Sequence, residues 1–260
     1  MKQRILHYLP GDFPWQKHIY WFDTIQSTNT HGKTLLLQEH VPHGTVILAA
    51  AQSAGRGRLG RSFSSCEGGL YMSVILRFQH KPDELLHLTC AGAVAACDAV
   101  EKVTGLRPGI KWTNDLVLDG RKIAGILTEL VLLPDQTGVV MGIGINCNQK
   151  TQDFPEEIRS FAGSLFAATG NDVDLAKLAA AWIEQMQSMD WCNREQIMER
   201  YRRDCVTVGK QVCVVRPDSV RHGQAIAVAE DGALVVRYEN GDVEKVQSGE
   251  VSIRGMYGYI

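Results

Sequence analysis

The sequence lacks a long apolar run, a surplus of charge of either sign and a targeting segment. The apolar stretch near residues 46–51 is far shorter than the ~18 residues that a membrane-spanning helix needs. The first residues carry positive charge but no long apolar segment, which excludes a signal peptide. Lys and Arg together number 27, and Asp and Glu 29, so the excess of basic residues typical of a general polyanion binder is missing. We therefore predict a cytoplasmic protein without membrane attachment.

Regular cysteine spacing is also missing. The seven cysteines are odd in number and scattered, and no two have C-x-x-C spacing. Neither a disulfide framework nor a zinc site is predicted. No cysteine has a neighbouring histidine suited to activate its thiol, so a cysteine nucleophile is not expected.

Residues 55–61, Gly-Arg-Gly-Arg-Leu-Gly-Arg, are the most informative stretch that is present. Arg56, Arg58 and Arg61 carry permanent charge on planar donors suited to carboxylate or phosphate. The glycines let backbone amides approach a ligand closely. The chain has no P-loop, and this stretch precedes a predicted strand rather than a helix, which excludes a dinucleotide-binding turn. A solvated loop and a nucleic-acid contact remain possible beside an anion-binding loop.

Hydrophobic periodicity predicts an α+β chain. The predicted strands of the larger part are 19–22, 45–51, 69–78, 110–112, 116–118, 123–132 and 139–145. The predicted helices run from a cap within 27–29 to about 37, from 82 to about 104, and over 174–189 and 193–204. Four short strands at 212–215, 224–229, 234–238 and 243–246 then indicate a small barrel. This change divides the chain into domains at residues 1–206 and 207–260.

Polar residues gather at the ends of three predicted strands. Residues 27–29 follow the first strand, Gln52 and the arginine loop follow the second, and residues 111–115 follow the short strand at 110. Lys111 and Trp112 alternate, so their side chains face opposite sides. With an Asn and an Asp close behind it, Lys111 is a candidate for binding phosphate near a metal. The same pattern also suits an ordinary surface lysine.

Glycines inside two predicted strands mark a second set of candidates. Gly125 interrupts one strand, and Gly142 and Gly144 share one face of another. Such glycines mark a bulge or the close approach of a ligand or of another segment, and tight packing by a helix or loop explains them equally well. Because no Ser-His-Asp set and no metal-spaced histidine pair is apparent, the supported chemistry is electrostatic stabilisation of charge by Arg and Lys.

Five motifs in this order resemble those of the biotin protein ligases. The motifs are Ser27-Thr28-Asn29, residues 52–61, residues 111–115, residues 122–127 and residues 142–146, and residues 248–252 are similar to the end of the family's small C-terminal barrel. The resemblance covers about residues 18–255. It implies a mixed β-sheet flanked by helices, as in class II synthetases, over residues 1–206, and an SH3-like barrel over residues 207–260.

The resemblance implies an ATP-dependent ligase that uses Mg²⁺. Biotin is activated as biotinyl-5′-AMP with release of pyrophosphate, and a lysine of a biotin carboxyl carrier domain, such as that of acetyl-CoA carboxylase, then accepts the biotinyl group. Some relatives repress transcription through an N-terminal winged helix-turn-helix domain. Only some 18 residues precede the first predicted strand here, so we expect no DNA binding. A free sheet edge would allow a homodimer.

The nearest competing function is that of a lipoate or octanoate protein ligase. The polar set of residues 27–29 together with Gln52 favours a ureido ligand over a dithiolane or a plain acyl chain. Two further hypotheses are a nucleic-acid-binding module and a catalytically inactive ligand-binding scaffold. The net charge argues against the former, and the presence of Lys111 and all three loop arginines argues against the latter.

The resemblance also assigns roles to residues. The expected catalytic groups are Lys111, Arg56 and Arg58, with Lys111 bridging the biotin carboxylate and the α-phosphate. The expected biotin-binding residues are Ser27, Thr28, Asn29, Gln52, Gly55, Arg56, Gly57, Arg58, Lys111 and Gly125. The expected ATP-binding residues are Arg58, Arg61, Phe63, Lys111, Asn114, Lys122, Gly142, Gly144 and Asn146. Asp115 is a candidate Mg²⁺ ligand, and Trp112 and Leu127 are candidate walls of the pocket. The loop at 55–64 is expected to be mobile when empty and to close over the adenylate.

Overall fold

The larger part of the chain is built on a mixed seven-stranded sheet. The computed structural model describes residues 1–38 and 41–247 and the backbone of 252–255. The strands are β1 (Ile19–Ile25), β2 (Thr45–Gln52), β3 (Gly69–Phe78), β4 (Gly109–Lys111), β5 (Asp115–Leu118), β6 (Arg121–Leu132) and β7 (Thr137–Asn146). Their order is β1-β2-β3-β7-β6-β5-β4, and only β1 and β2 are parallel among these neighbours.

Helices cover both faces of this sheet. They are α1 (Lys2–Tyr8), α2 (Thr28–Gln38), α3 (Leu88–Thr104), α4 (Leu165–Thr169), α5 (Leu175–Ser188) and α6 (Arg194–Asp204). On one face Leu36 of α2 packs with Ile47, Ile75 and Val140, and α3 and α5 pack against the alternate residues of the same strands. β3 and β7 are therefore buried on both faces, which explains why they are apolar at nearly every position.

The predicted elements of this part differ from the structure mainly at helices. The helix predicted to begin at residue 82 begins at Leu88, because Pro82–Leu85 forms a separate 3-10 turn. The short helices α1 and α4 were not predicted, since segments of seven and five residues show too little periodicity. The helices predicted to begin at residues 174 and 193 begin there, because the side chains of Asp174 and Asn193 are their N-caps and accept hydrogen bonds from backbone amides of the first turn.

A second, five-stranded antiparallel sheet follows. Its strands are β8 (Gln211–Arg216), β9 (Ser219–Val228), β10 (Leu234–Tyr238), β11 (Val243–Val246) and β12 (Ser252–Gly255), in the order β11-β10-β9-β8-β12. The prediction of a small all-β unit after a mixed α+β unit is confirmed. β12 was not predicted, and residues 248–251 of the tail motif lie outside the described residues.

The two sheets meet behind β4. Ile110 of this strand forms a parallel bridge with Cys205, and the Val206 amide donates to the Ile110 carbonyl oxygen at 2.9 Å. The segment that follows α6 therefore covers β4, one edge of the large sheet. The opposite edge is β1.

Two further expectations concern the cysteines and the membrane. Within the described chain, no helix has both the length and the apolar character to cross a bilayer.

The seven cysteines are free thiols. The expectation that no cysteine has a histidine beside it is wrong: Cys213 Sγ lies 3.4 Å from His222 Nδ1. The two residues are cross-strand partners in β8 and β9, a proximity that depends on strand register and not on sequence spacing.

Candidate functional site: a cleft on the seven-stranded sheet

A cleft of about 300 Å³ lies on the large sheet between the start of α2 and the arginine loop. The cleft brings together residues from four of the five sequence motifs; the motif at 111–115 contributes none of the lining. The lining residues are Ser27, Thr28, Asn29, Gln52, Arg56, Phe63, Gly125, Leu127, Gly142, Ile143 and Gly144.

The first turn of α2 is fixed to the end of β2. Ser27 is the N-cap, and its hydroxyl accepts from the Thr30 amide at 3.4 Å. The Thr28 amide donates to Gln52 Oε1 at 2.8 Å, and the Thr28 hydroxyl oxygen lies 3.2 Å from the same atom. These bonds place the positive end of the helix dipole at the cleft, where it favours a polar or anionic ligand.

Asn29 spans the cleft floor with a fixed amide. Its Nδ2 donates to the Leu127 carbonyl at 3.1 Å and to Glu129 Oε2 at 3.0 Å, and its Oδ1 accepts from the Ser73 hydroxyl at 2.6 Å. Both N–H groups are thus used, while the oxygen keeps a second lone pair for a ligand. A β-carbon at Gly142 would lie 2.0 Å from Asn29 Oδ1, so Gly142 makes room for this side chain.

Phe63 occupies the floor beside Asn29. Gly125, Gly144 and Tyr71 are consecutive cross-strand partners on β6, β7 and β3, and the Phe63 ring lies over this row. A β-carbon at Gly144 would approach Phe63 Cε1 to 2.5 Å, and one at Gly125 would approach Cε2 to 3.2 Å. Of the two explanations that the sequence left open for these glycines, loop packing therefore applies in this structure.

Lys122 lies beside Gly125, at the edge of the cleft, because of a β-bulge. Residues 122 and 125 would face opposite sides of a regular strand, but the β5–β6 register skips Ile123 between Leu116 and Val117. The bulge turns the Lys122 side chain to the same face of the sheet as Gly125. A β-carbon added at Gly125 would lie 3.3 Å from Lys122 Nζ. The ammonium pairs with Asp115 at 2.6 Å and lies 5.8 Å from the centroid of the Phe63 ring.

Lys111 lies further from the cleft than Lys122. Register pairs Lys111 with Asp115, and Asp115 with Gly125. Direct cross-strand partners share a face, so Lys111 points to the cleft side of the sheet, about 10 Å along it from Gly125 at the usual strand spacing. The residue is only 8% exposed.

Trp112 does not form a wall of the cleft, contrary to the expectation. Its indole Nε1 donates to the Gly232 carbonyl at 2.9 Å, and its backbone amide donates to Thr207 Oγ1 at 2.8 Å. The side chain therefore faces the second sheet. Leu127, the second expected wall, does line the cleft.

Arg58 carries a buried donor without a partner. Its Nη1 donates to Asn114 Oδ1 at 3.0 Å, and Asn114 Nδ2 in turn donates to the Ile126 carbonyl at 2.8 Å. Arg58 Nη2 is buried and has no hydrogen-bond partner. Burial lowers the pKa of this guanidinium, and the charge of Asp115 opposes that shift. An anionic oxygen placed at Nη2 would satisfy the donor and offset the cost of its burial.

The remaining predicted site residues are two glycines of the arginine loop, Asn146 and Arg61. Gly55 is needed because a β-carbon there would lie 2.4 Å from the Phe63 carbonyl oxygen and from Ser65 Oγ, whereas at Gly57 the nearest atom would be 3.4 Å away. Asn146 donates to the Gly163 carbonyl at 2.9 Å and so anchors the segment after β7. Arg61 is exposed at the end of the arginine loop.

The sequence did not predict Ser65, Ser73 and Glu129. Ser65 accepts from Gln52 Nε2 at 2.9 Å and donates to the Phe63 carbonyl at 3.0 Å, which ties the arginine loop to β2. Ser73 is fully buried between apolar neighbours of β3, and Glu129 is the only charged residue between 123 and 132. A hydroxyl between apolar residues at Ser73 and a single charge within an otherwise uncharged strand at Glu129 are the signals that would have identified these two residues.

The side chains around the cleft provide too few ligands to hold a metal ion unless a bound substrate supplies further oxygen atoms. Within the described ranges, no group of three or more His, Cys, Asp or Glu side chains is placed to hold a metal. Asp115 supplies one carboxylate close to Lys122. Mg²⁺ is commonly held by one or two carboxylates and by substrate phosphates, so these residues fit an ion that is held mainly by a nucleotide.

Comparisons with known proteins identify the family of the chain. Residues 21–146 match the Biotin/lipoate A/B protein ligase family, and residues 207–254 match the Biotin protein ligase C terminal domain. The chain is 31% identical to the bifunctional ligase/repressor BirA of Bacillus spizizenii over 91% of this chain and 74% of that protein. It is 32% identical to the biotin–[acetyl-CoA-carboxylase] ligase of Mycobacterium tuberculosis over 67% of this chain and 65% of that protein. A biotin protein ligase from Aquifex aeolicus, solved in complex with biotin and ATP, has a TM-score of 0.77 and 30% identity, covering 92% of this chain and 99% of that one.

Proposed function

Because the chain belongs to the biotin protein ligase family, we propose that its cleft activates biotin with ATP and passes the biotinyl group to a lysine of a biotin carboxyl carrier domain. Arg58 carries this proposal. Its buried, unpartnered Nη2 is a preformed donor for an anionic oxygen on the side of Asn114, and a reaction between a carboxylate and a phosphate requires such a donor.

The chemistry consists of two substitutions. A biotin carboxylate oxygen forms a bond to the α-phosphorus of ATP, and the bond from that phosphorus to the bridging oxygen of pyrophosphate breaks. The amine of the acceptor lysine then forms a bond to the biotinyl carbonyl carbon, AMP leaves with the former carboxylate oxygen, and the amine releases a proton. No covalent enzyme intermediate is needed. The protein orients the reactants and stabilises the charge that develops on phosphate oxygens.

The polar end of the cleft suits the ureido ring of biotin. Asn29 Oδ1 is an acceptor with a free lone pair, and Ser27, Thr28 and Gln52 surround it with hydroxyl and amide groups. A ureido N–H satisfies a buried acceptor, whereas the dithiolane of lipoate and a plain acyl chain have no N–H to offer. This contrast favours biotin over lipoate or octanoate.

Two lysines are candidates to bridge the carboxylate and the α-phosphate. The sequence resemblance assigns this role to Lys111, with Lys122 serving the nucleotide. The bulge that turns Lys122 toward Gly125 makes Lys122 an equally direct candidate. Comparing Lys111→Ala with Lys122→Ala in single-turnover formation of biotinyl-AMP decides between them: the bridging lysine is the one whose loss slows the step by about 10²–10³-fold.

The nucleotide is expected on the side of Arg58, Asn114 and Lys122. Arg61 would reach it from the end of the arginine loop, and Phe63 would contact the adenine after leaving its place over Gly144. Asn146 and Gly142 border the same side of the sheet. Asp115 is the expected protein ligand of Mg²⁺, which would neutralise phosphate charge when it is bound with the nucleotide.

Wider assignments follow the same proposal. We place the boundary of the catalytic and C-terminal domains at 206–207, since α6 ends at Asp204 and β8 begins at Gln211. The expected location is the cytoplasm, and DNA binding is not part of the proposal.

A homodimer would use the β1 edge, which sedimentation of the wild-type chain and of a Tyr20→Lys variant tests.

Biotin-dependent exchange of labelled pyrophosphate into ATP tests the proposed activity. We expect exchange with biotin and none above background with lipoate. Exchange with lipoate alone would transfer the assignment to the lipoate ligases, and exchange with neither acid would refute acid activation in this cleft.

A further inference from the structure

We propose that Glu129 is a positioning residue that sets the hydrogen-bond polarity of the biotin subsite. Its side chain is 16% exposed and lies at the centre of a charged cluster. Oε2 accepts from Asn29 Nδ2 at 3.0 Å, and Oε1 accepts from Lys33 Nζ and Arg56 Nη1, each at 3.1 Å. The inference rests on the proposed function and adds how the subsite selects its ligand.

The orientation of the Asn29 amide depends on its neighbours. An asparagine amide can present either its oxygen or its NH₂ group in the same space, and hydrogen-bond partners decide which. The Leu127 carbonyl and the Glu129 carboxylate are both acceptors and require the NH₂ group. A flipped amide would set its oxygen against these two acceptors, and the charged carboxylate makes that arrangement the more unfavourable.

Ser73 completes the arrangement on the opposite side. Its hydroxyl oxygen lies 2.6 Å from Asn29 Oδ1 and 2.7 Å from Thr28 Oγ1. The hydroxyl donates to Asn29 Oδ1 when the Thr28 hydroxyl supplies the proton of the second contact, and the Asn29 oxygen lies between Ser73 and Gly142. The subsite therefore offers an acceptor and admits a ligand with an N–H at that point. A ligand without one leaves the oxygen desolvated and only partly satisfied.

Lys33 makes this arrangement independent of the arginine loop. Asn29 and Lys33 are four residues apart in α2 and so lie on the same side of the helix. Arg56 has a side chain that is 44% exposed, and it shares Oε1 with Lys33. When Arg56 turns toward a substrate carboxylate or phosphate, Glu129 keeps Lys33 and Asn29 as partners, and the Asn29 amide stays in place.

The test compares Glu129→Gln and Glu129→Ala with the wild-type protein in the biotin-dependent exchange assay. In Glu129→Gln the side-chain oxygen turns to the two cations, and its NH₂ group faces Asn29 Nδ2, which disfavours the present amide orientation. We expect KM for biotin to rise about 10- to 100-fold in both variants, while KM for ATP and kcat stay within about twofold. Glu184→Gln, which removes the same charge from the distant pair with Lys102, is the matched control and is expected to leave all three values unchanged.

Ligand discrimination provides the readout that a purely structural role would not change. The probes are the two cyclic carbamate analogues of biotin, in which one or the other ureido N–H is replaced by oxygen. The wild-type protein is expected to disfavour one analogue by at least about tenfold relative to biotin, and the Glu129 variants are expected to lose most of that preference. If Glu129→Ala does not fold, the isosteric Glu129→Gln carries the test.

An unchanged KM for biotin with unchanged analogue preference in a folded Glu129 variant would overturn the inference. An equal rise in KM for biotin and for ATP would also overturn it, since that result indicates general disruption of the cleft. Failure of the proposed function has a different signature, namely wild-type protein that shows no biotin-dependent exchange at all.

Discussion

The indole of Trp112 donates a hydrogen bond to the carbonyl oxygen of Gly232 at 2.9 Å and thereby joins the motif at 111–115 to the second sheet. Gly232 lies in the turn between β9 and β10. Tyr201 supports the same motif from α6, since its buried hydroxyl donates to the Thr113 carbonyl at 3.0 Å. The small C-terminal sheet thus contacts the motif that includes Lys111, one of the proposed catalytic groups.

Replacing Trp112 by Phe is expected to destabilise the chain. The side chain stays aromatic, but the Gly232 carbonyl loses its donor in a buried position, which costs about 1–3 kcal/mol. Urea denaturation measures the change. Trp21→Phe is the control, because the Trp21 indole donates to Asp23 in an exposed position and its loss is expected to cost less than about 0.5 kcal/mol. Equal effects of the two substitutions would contradict a structural role for the Trp112 bond.

Adding a methyl group at Gly142 is expected to impair biotin binding. The β-carbon would lie 2.0 Å from Asn29 Oδ1, so the Asn29 side chain must leave its hydrogen bonds. We expect Gly142→Ala to weaken biotin binding at least about tenfold in calorimetric titration. Gly57→Ala is the milder comparison, since its β-carbon meets the nearest atom only at 3.4 Å. Wild-type affinity in Gly142→Ala would show that the Asn29 amide does not determine binding.

The stability of the chain is expected to fall in acid through Asp204. Burial alone raises the pKa of this carboxyl, but hydrogen bonds from Arg107 and Arg203 outweigh burial and hold the pKa below its usual range. A carboxyl with a depressed pKa in the folded state stabilises the fold above its unfolded pKa of about 3.9 and loses that contribution as the pH falls through the folded value. Asp204→Asn is therefore expected to lower the unfolding free energy at pH 7 by about 1–3 kcal/mol, with a smaller deficit near pH 3.

Denaturant titration at the two pH values measures the Asp204 effect. Asp242→Asn is the control, because Asp242 forms an exposed pair with Arg221 and its replacement is expected to cost less than about 0.5 kcal/mol. A deficit of Asp204→Asn that does not change with pH would contradict the assignment of the acid sensitivity to this carboxyl.

The arginine loop is expected to become less mobile when the adenylate is bound. In the structure Leu59 has a left-handed backbone with φ of 54°, and Arg56 and Arg61 are exposed. Contacts from the loop to the product would restrain these residues and exclude water from the anhydride. Hydrogen exchange over 55–64 is expected to slow at least about tenfold with biotinyl-AMP. Equal exchange with and without the adenylate would refute closure.

The sequence was sufficient for most elements and for the composition of the cleft, because each depends on local pattern. Alternation identified β3 and β7, and the motif spacing identified Asn29, Gln52 and the arginine loop. The resemblance assigned Lys122 to the nucleotide, but the bulge that turns its side chain to the face of Gly125 could not be predicted. Glu129 and Ser73 meet Asn29 only through the packing of α2 on the sheet, at separations of 100 and 44 residues.

Trp112 is a residue that was expected in the pocket but lies outside it in the structure. The resemblance suggested Trp112 as a wall of the pocket, although strand alternation already sends its side chain to the face opposite that of Lys111. The partner of its indole is 120 residues away in the second sheet. The motifs therefore identified most of the residues that line one cleft, whereas the hydrogen-bond partner of each side chain depended on tertiary packing.

Arg58 is the residue on which the proposed formation of biotinyl-AMP depends most, and mass spectrometry of the adenylate formed in a single turnover is the decisive measurement. Wild-type protein mixed with biotin, ATP and Mg²⁺ is expected to accumulate biotinyl-5′-AMP. Arg58→Met is expected to form it about 10²–10³-fold more slowly and to change the unfolding free energy by less than about 1 kcal/mol, because the loss of the Nη1 bond to Asn114 is offset by removal of a buried donor that has no partner. Adenylate formation by Arg58→Met at the wild-type rate would contradict the proposed role of Arg58 in this cleft.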